Sequence, residues 1–267
     1  MHGITVESIR EAARRIAPYA HRTPVFTSQY FNTLLDAELH FKCENFQKAG
    51  AFKFRGACSA VFSLDDRVAQ RGVLTHSSGN HGQAVALAAK TRGICATVVM
   101  PGTAPPVKRA AVEGYGARVV PCEPTEADRV SVSKALIEKT GAELIHPFND
   151  QRIIAGQGTA ALELIEDAGP FDVILVPVGG GGLLSGTALA AAALCPQARV
   201  VGAEPAGADD ACRSLAAGKI VSSVGPRTVA DGLLTSLGDL TFAVIKQHVN
   251  QIVTVEDEAI IAAMHTV

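Results

Sequence analysis

The chain has 267 residues, with 24 basic and 26 acidic side chains and a formal net charge of −2. This near balance argues against nucleic-acid binding, and a composition of 48% hydrophobic and 19% charged residues excludes disorder. No stretch reaches the roughly 18 uninterrupted apolar residues of a membrane span, and the N-terminus lacks the hydrophobic segment of a signal peptide. The six cysteines include no C-x-x-C pair, which predicts reduced thiols in a cytoplasmic α/β protein.

Short apolar runs alternate with longer amphipathic stretches along most of the chain, a pattern typical of parallel strands separated by helices. Helices and one short strand, at residues 38–43, are predicted first. The next strands are predicted at residues 72–75, 96–100, 118–122 and 143–147, and the helices between them at 82–90, 106–113 and 125–140. These elements predict a parallel sheet covered on both faces.

A second series follows a mostly helical segment at residues 150–169. Its strands are predicted at residues 171–178, 199–203 and 250–255, and its main helix at 183–194. No linker separates the two series, so we expect two layers packed face to face with a site between them.

Four consecutive glycines, Gly179, Gly180, Gly181 and Gly182, join the strand at 171–178 to the following helix. Their backbone N–H groups can converge on an anion at the positive end of the helix, which predicts a phosphate site rather than a plain turn. The dinucleotide fingerprint fails because Leu184 stands where its third glycine should be, and the Walker loop fails because Thr187 stands where its lysine is required. Because Glu204 follows a later strand, where a ribose-binding acid could lie, a nucleotide-dependent oxidoreductase remains an alternative.

A second loop, T-H-S-S-G-N-H-G at residues 75–82, also joins a strand to a helix. Ser77, Ser78 and Asn80 are ordinary N-cap residues, but one cap needs only one of them. The surplus of hydroxyl, amide and imidazole groups favours a carboxylate-binding loop with a hydroxyl free for proton transfer.

Lys53 lies between Phe52 and Phe54. A lysine on a helix is solvated by default, but apolar neighbours and the charge of Arg55 would lower its pKa. A neutral amine is a nucleophile toward aldehydes. Together with a phosphate site and a carboxylate loop, it indicates pyridoxal 5′-phosphate bound as a Schiff base.

Four motifs stand in one order along the chain: F-K-C-E-N-F-Q-K-A-G-A-F-K-F-R-G-A, T-H-S-S-G-N-H-G, I-A-G-Q-G-T and P-V-G-G-G-G-L-L-S-G. In these motifs the chain, from about Thr23 onward, resembles the serine racemase and serine/threonine dehydratase family of fold-type II pyridoxal-phosphate enzymes, which includes threo-3-hydroxyaspartate dehydratases. The resemblance implies a tryptophan synthase β-like α/β fold of two parallel-sheet, three-layer domains. Residues 1–71 and 150–267 would form the large cofactor-binding domain, and residues 72–149 the small domain.

The resemblance also implies roles in cofactor binding. Lys53 would be the Schiff-base lysine, with Phe52 beside the cofactor ring and Asn80 on the pyridoxal 3′-oxygen. The four glycines would hold the phosphate. The stretch at residues 203–210 resembles the divalent-cation site of these enzymes, in which Glu204, the Ala208 carbonyl and Asp210 would bind Mg²⁺ or Ca²⁺. This reassigns Glu204 from ribose to metal, although simple solvation also explains an acidic loop.

For the substrate, the resemblance implies that Ser77, Asn80 and His81 receive the carboxylate of a small amino acid. Lys53 would remove the Cα proton, and loss of the β-hydroxyl would lead to a 2-oxo acid and ammonia. Reprotonation from Ser78, on the opposite face of the cofactor, would instead invert the α-carbon. Serine or threonine is the first expected substrate, and racemisation is a companion or principal activity.

Hydroxyaspartate is the next expected substrate, and its second carboxylate needs a cation. Arg129 is one candidate, although a surface ion pair also explains an arginine there. A homodimer is expected from the family. Its members usually continue for several dozen residues beyond Val267, and that part carries the Ser or Cys that meets the pyridine nitrogen. A truncated paralogue that binds the cofactor without turnover is therefore a further alternative, and feedback by isoleucine is not expected.

Overall fold

The computed structural model describes residues 3–77 and 79–266. Ser78, the predicted second proton carrier, lies outside the described residues. The strands are β1 (Val25–Thr27), β2 (His40–Lys42), β3 (Val73–His76), β4 (Ala96–Pro101), β5 (Arg118–Cys122), β6 (Glu143–Leu144), β7 (Val173–Pro177), β8 (Arg199–Pro205) and β9 (Gln251–Val255). The helices are α1 (Val6–Ile16), α2 (Gln29–Leu35), α3 (Lys53–Ser63), α4 (Asp66–Ala69), α5 (Asn80–Arg92), α6 (Pro106–Gly114), α7 (Glu126–Thr140), α8 (Gln151–Ala168), α9 (Gly182–Leu194), α10 (Asp210–Ala217), α11 (Asp239–His248) and α12 (Asp257–Thr266).

The first parallel sheet has the strand order β5-β4-β3-β6. Val73, Leu74 and Thr75 of β3 are all buried, as the prediction of a covered sheet requires. Strand β6 is shorter than predicted, because beyond Ile145 the chain turns out of the sheet. Helix α5 begins at Asn80, two residues earlier than predicted, which places the end of the polar loop in its first turn.

The second parallel sheet has the strand order β7-β8-β9. Its edge strand β7 is shorter than the predicted 171–178, and its residues alternate between exposed and buried. Leu175 is 67% exposed, so the apolar run predicted there buries only one of its faces. Strands β1 and β2 form a separate antiparallel pair, and β1 was not predicted.

Helix α3 connects the two halves of the molecule, and its packing depends on glycine contacts. Phe54 and Val61 of α3 share a hydrophobic core with Val85 of α5. On its other side, α3 packs so closely on α8 that a Cβ at Gly156 would lie 2.6 Å from the Cα of Gly56. Because α3 packs on both α5 and α8, it does not divide the two halves, and the predicted domain boundaries remain a prediction.

Helices α8 and α9 approach each other just as closely, since a Cβ at Gly186 would lie 2.5 Å from the backbone nitrogen of Gly158. The start of α3, at Lys53, is therefore held in a fixed relation to the start of α9, at Gly182. None of the helices in the described part of the chain is both long and apolar enough to cross a membrane.

Candidate active site

Lys53 is the first residue of α3, and its amine is buried beside the segment that follows β6. Its Nζ donates a hydrogen bond to the Pro147 carbonyl at 3.1 Å and lies 5.3 Å from the centre of the Phe52 ring. Burial lowers the pKa of Lys53 to about 8. Arg55, predicted to help lower this pKa, instead pairs with Glu44 and Glu163, so burial is the physical cause.

The segment at residues 145–149 is a part of the site that the sequence did not reveal. Its Pro147 carbonyl meets Lys53, and its Ile145 carbonyl accepts a hydrogen bond from Thr75 at 2.7 Å. Phe148 packs against the glycine loop, because a Cβ added at Gly182 would lie 3.2 Å from the Cβ of Phe148. This segment follows strand β6 at the carboxyl end of the first sheet, which is where ligands bind in parallel sheets.

Three histidines lie in or beside this segment: His146 belongs to it, and His76 and His81 are its neighbours. Burial is the largest cause that lowers the pKa of each. His81 is 2% exposed, and its Nε2 lies 3.2 Å from the Ile145 carbonyl. Its pKa is well below the ordinary value, through burial and the nearby charge of Lys53. The pKa of His146 falls to about 4, and that of His76, whose ring lies 5.4 Å from the ring of His146, is also lowered. At neutral pH all three rings are therefore uncharged.

Hydrogen bonds fix the tautomers of two of these rings. A carbonyl can only accept, so Nε2 of His81 carries the proton, and its buried Nδ1 has no hydrogen-bond partner among the described residues. Nδ1 of His146 accepts the N–H groups of Phe148 and Asn149. The His81 ring therefore offers no donor to a carboxylate, and only its backbone N–H, in the first turn of α5, could bind one.

The four glycines form the turn from β7 into α9 as predicted. Gly181 has a φ of 86°, in the left-handed region that favours glycine, and as the N-cap of α9 it makes no side-chain cap. A Cβ at Gly180 would overlap the Phe148 ring. The first N–H groups of α9 are thus left without a capping side chain, as anion binding requires.

The glycine loop is also supported by residues 233–241, which the sequence did not predict to be part of the site. Thr241 of α11 donates a hydrogen bond to the Gly180 carbonyl at 2.9 Å. A Cβ at Gly179 would lie 3.1 Å from the Cα of Leu233 and 3.3 Å from Oγ1 of Thr235. These contacts hold the Gly180 carbonyl in place and leave little room for a side chain at Gly179.

The polar loop at residues 75–82 leads into a helix whose N-cap is Gly79, without a side-chain cap. Ser77 accepts the Gly79 N–H at 3.3 Å and therefore does not cap the helix itself. Asn80 is exposed at the first helical position, whereas His81 is buried. Five other helices have a capping side chain, from Thr5, Ser28, Asp65, Thr125 and Asp150.

The predicted metal ligands lie at the end of β8 and the start of α10. Glu204 is 1% exposed and accepts the N–H groups of Ala211 and Cys212 at 2.9 and 2.8 Å. Burial raises the pKa of Glu204 to about 7, and the charge of Asp210 adds to this effect. Within residues 3–77 and 79–266, no group of three or more His, Cys, Asp or Glu side chains is arranged to hold a metal.

Asp210 is completely buried, and neither of its carboxylate oxygens has a hydrogen bond of acceptable geometry with a described residue. Burial raises its pKa, which the nearby Ser223 side chain partly offsets. Two buried carboxyl groups that depress each other's ionisation fit a cation with oxygen ligands. The Ala208 carbonyl, in the turn before α10, would be the third ligand, and the metal itself remains a prediction.

A buried amine of lowered pKa at the start of one helix, and an uncapped glycine loop at the start of another, define a site for an aldehyde cofactor that carries a phosphate. Residues 16–267 match the family described as "Pyridoxal-phosphate dependent enzyme". The chain belongs to this family, in its fold-type II branch and among the relatives of serine racemase. The predicted fold class and cofactor are confirmed, whereas the nucleotide-dependent oxidoreductase finds no support.

Two similar curated proteins differ in the reaction that their names describe. A serine racemase of Oryza sativa subsp. indica is 52% identical over 259 residues, which are 97% of this chain and 76% of the relative. A beta-hydroxyaspartate dehydratase of Paracoccus denitrificans is 50% identical over 260 residues, 97% of this chain and 82% of the relative. The structure of maize serine racemase is 51% identical and superposes with a TM-score of 0.96, over 98% of this chain and 80% of that chain.

Proposed function

We propose that the protein catalyses pyridoxal-phosphate-dependent elimination on a hydroxy amino acid, serine or threonine, to give a 2-oxo acid and ammonia. The observation that carries this proposal is the Lys53 amine, whose pKa of about 8 leaves part of it neutral near pH 7. The segment at residues 145–149 links this amine to the glycine loop and to the start of α5, because its Pro147 carbonyl meets Lys53, its Phe148 ring meets Gly180, and its Ile145 carbonyl meets His81.

The chain's own residues divide the work. Gly179, Gly180, Gly181 and Gly182 would bind the cofactor phosphate, and Phe52 and Asn80 would hold its ring. Ser77, Asn80 and the backbone N–H of His81 would bind the substrate carboxylate at the positive end of α5. When bound, the cofactor delocalises the negative charge that is left on Cα. The neutral amine of Lys53 would take the Cα proton, and the surrounding uncharged histidines keep the site free of competing positive charge.

Racemisation is the companion activity that we propose, with Ser78 delivering a proton to the opposite face. Similarity to serine racemases supports it. If Ser78→Ala left D-serine formation intact, the assignment of two bases would be wrong. Lys53→Ala, by contrast, is expected to abolish both elimination and racemisation.

Hydroxyaspartate is the second candidate substrate, and Arg129 supports it. Nε of Arg129 is buried and has no hydrogen-bond partner among the described residues. The charge of Arg129 contributes to the lowered pKa of His76, so the half-buried side chain lies within electrostatic reach of the carboxylate loop. A guanidinium with a buried and unpaired Nε is suited to a second carboxylate.

We further propose that Glu204, the Ala208 carbonyl and Asp210 bind Mg²⁺ or Ca²⁺. The buried and unpaired oxygens of Asp210 support this proposal. The role is structural, because these ligands sit at the N-terminus of α10 and join it to β8.

A homodimer in the cytoplasm completes the proposal. An exposed row of rings, here called the aromatic face, supports a second copy as the partner; its residues are Phe26, Tyr30, Phe31, Phe41 and Phe46. Tyr30 is 61% exposed, and α2, which carries it, buries none of its residues. Phe26 and Phe46 are 52% and 53% exposed, so these rings offer part of the roughly 150–250 Å² of a whole ring and could form the apolar centre of an interface of about 800 Å² per partner. All six cysteines are free, which suits a reducing compartment.

The deciding experiment is borohydride reduction of the purified protein loaded with pyridoxal phosphate, followed by mass mapping and assays with serine, threonine and hydroxyaspartate. We expect the reduced cofactor on Lys53 and 2-oxo acid formation in the unreduced sample. Lys48→Ala, which removes another half-buried lysine five residues away, is the matched control and should keep both. Cofactor on Lys53 without any turnover would instead identify a non-catalytic cofactor-binding protein.

A further inference from the structure

Arg55 lies two residues after Lys53 in the first turn of α3, and its side chain is completely buried. Its guanidinium forms paired hydrogen bonds with two carboxylates. Nε and Nη2 donate to Glu44 at 2.7 and 2.8 Å, and Nη1 and Nη2 donate to Glu163 at 2.7 and 2.8 Å. Glu44 precedes α3 in a short 3-10 turn, whereas Glu163 belongs to α8, so one side chain ties the start of α3 to two other elements.

The charges of this cluster balance each other. Lys42 lies 2.8 Å from Glu163, so two cations face two carboxylates. Burial would lower the pKa of Arg55, but its hydrogen bonds with Glu163 and Glu44 hold that pKa above the ordinary value. The hydroxyls of Thr159 and Thr23 accept further bonds from the guanidinium at 3.2 Å. Only the planar fork of arginine can meet all of these partners at once.

The contacts of Lys53 itself are few. Helix α3 starts without a side-chain cap at Phe52, and the Lys53 amine is held by the carbonyl of Pro147. The charged and titratable groups that face the amine, His81 of α5 and His146 after β6, are neutral near pH 7. The first turn of α3 is held by the bonds of Arg55 and by Gly56, which packs on Gly156 and donates its N–H to Gln157.

We propose that Arg55 is a positioning residue, whose paired bonds to Glu44 and Glu163 fix the first turn of α3 and so hold the Lys53 amine at its reacting position. The inference rests on the proposed role of Lys53. It adds that the planar geometry of the Arg55 guanidinium, and not merely its positive charge, sets how deeply the Lys53 amine is buried. A misplacement of about 1 Å in such a group costs on the order of 100-fold in rate.

The test compares Arg55→Lys with Arg92→Lys. Arg92 is a matched control, because it anchors the opposite end of α3 through the carbonyls of Val61 and Leu64. In cofactor-free protein, the pH dependence of Lys53 acetylation by acetic anhydride, mapped by mass spectrometry, reports the apparent pKa of the amine. In the loaded enzyme, kcat and KM for the amino acid are measured alongside the free energy of unfolding.

We expect Arg55→Lys to raise the apparent pKa of Lys53 by about one unit as the amine gains water, and to lower kcat about 100-fold with a smaller change in KM. Arg92→Lys should change stability but neither of these values. Equal effects of the two substitutions, in proportion to lost stability, would overturn the proposal. If Arg55→Lys does not fold, Glu44→Gln is measured instead, and it should likewise raise the apparent pKa of Lys53 and lower kcat. Failure of Lys53 itself to carry the cofactor would instead refute the proposed function.

Discussion

Phe148 occupies the space that a side chain at Gly180 would need, since a Cβ there would overlap its ring. The Phe148 ring follows a strand of the first sheet and the glycine loop follows a strand of the second. This contact therefore helps to set the distance between the predicted phosphate site and Lys53. The adjacent carbonyl of Pro147 meets Lys53 directly. One short segment therefore positions the amine and the glycine loop together.

The first prediction concerns this contact. Gly180→Ala should weaken pyridoxal phosphate binding by about 1–3 kcal/mol, roughly 5- to 150-fold, because the Phe148 ring must move to admit the methyl group. Titration of the cofactor-free protein, followed by absorbance, measures the affinity. Gly114→Ala is the control, since a Cβ at Gly114 meets nothing within 4 Å. Unchanged affinity in Gly180→Ala would show that the loop does not hold the phosphate.

The sequence could predict those parts of the site whose signal is local. Gly179 to Gly182 and the loop at residues 75–82 stand out because each crowds unusual residues into one strand–helix junction. The segment at residues 145–149 carries no such signal, because its function depends on carbonyl groups and on a ring that reaches a distant loop. Its location after a parallel strand was the only available clue.

Arg55 and β7 illustrate the same limit. The positive charge of Arg55 suggests a lowered pKa for Lys53 as long as the partners of Arg55 are unknown. One of these partners, Glu163, lies 108 residues further along the chain, so the sequence could not predict the pairing. The run at 171–178 is apolar throughout, so the sequence could not distinguish a strand covered on both faces from an edge strand. Fold class, by contrast, follows from the order of strands and helices, which is why it was predicted correctly.

The second prediction is a pH dependence of stability in the cofactor-free protein. Folding lowers the pKa of Lys53 from 10.5 to about 8, so between these values the unfolded chain binds more protons than the folded one. The contribution of Lys53 to stability is therefore unfavourable below pH 8 and recovers as the pH rises toward 10.5. Lys53→Met should raise the free energy of unfolding at pH 7 by about 1–3 kcal/mol, and by less at pH 10. Denaturant titrations at several pH values, with Lys48→Met as control, measure this; a gain independent of pH would contradict it.

The third prediction tests the cation site. Mg²⁺ or Ca²⁺ at about 100 times its dissociation constant should stabilise the protein by about 2.7 kcal/mol, and a chelator should reverse the gain. Asp210→Asn should abolish this response and raise the metal-free stability, because it removes a buried charge. Asp66→Asn is the control, since Asp66 is exposed and paired with Arg92. Thermal unfolding with and without each ion supplies the measurement, and an unaltered response in Asp210→Asn would exclude these ligands.

The fourth prediction tests the aromatic face. Leu34, 62% exposed beside Tyr30, lies on the proposed interface, so Leu34→Glu should convert dimers to monomers at micromolar concentration. Val107→Glu changes an equally exposed helical residue elsewhere and should leave the mass unchanged. Sedimentation equilibrium of the loaded protein gives the masses. A wild-type monomer, or a Leu34→Glu dimer, would remove the aromatic face as the contact between copies.

The last prediction separates the two candidate substrates. A guanidinium that binds a second carboxylate contributes a charge-assisted bond of about 1.5–3 kcal/mol, whereas serine has no group to meet it. Arg129→Gln should therefore lower kcat/KM for hydroxyaspartate about 10- to 150-fold and change that for serine less than about threefold. Arg109→Gln, which removes an exposed arginine paired with Glu113, is the control. Equal losses for both substrates would assign Arg129 a structural role, because a residue that only supports the loop affects every substrate that the loop binds.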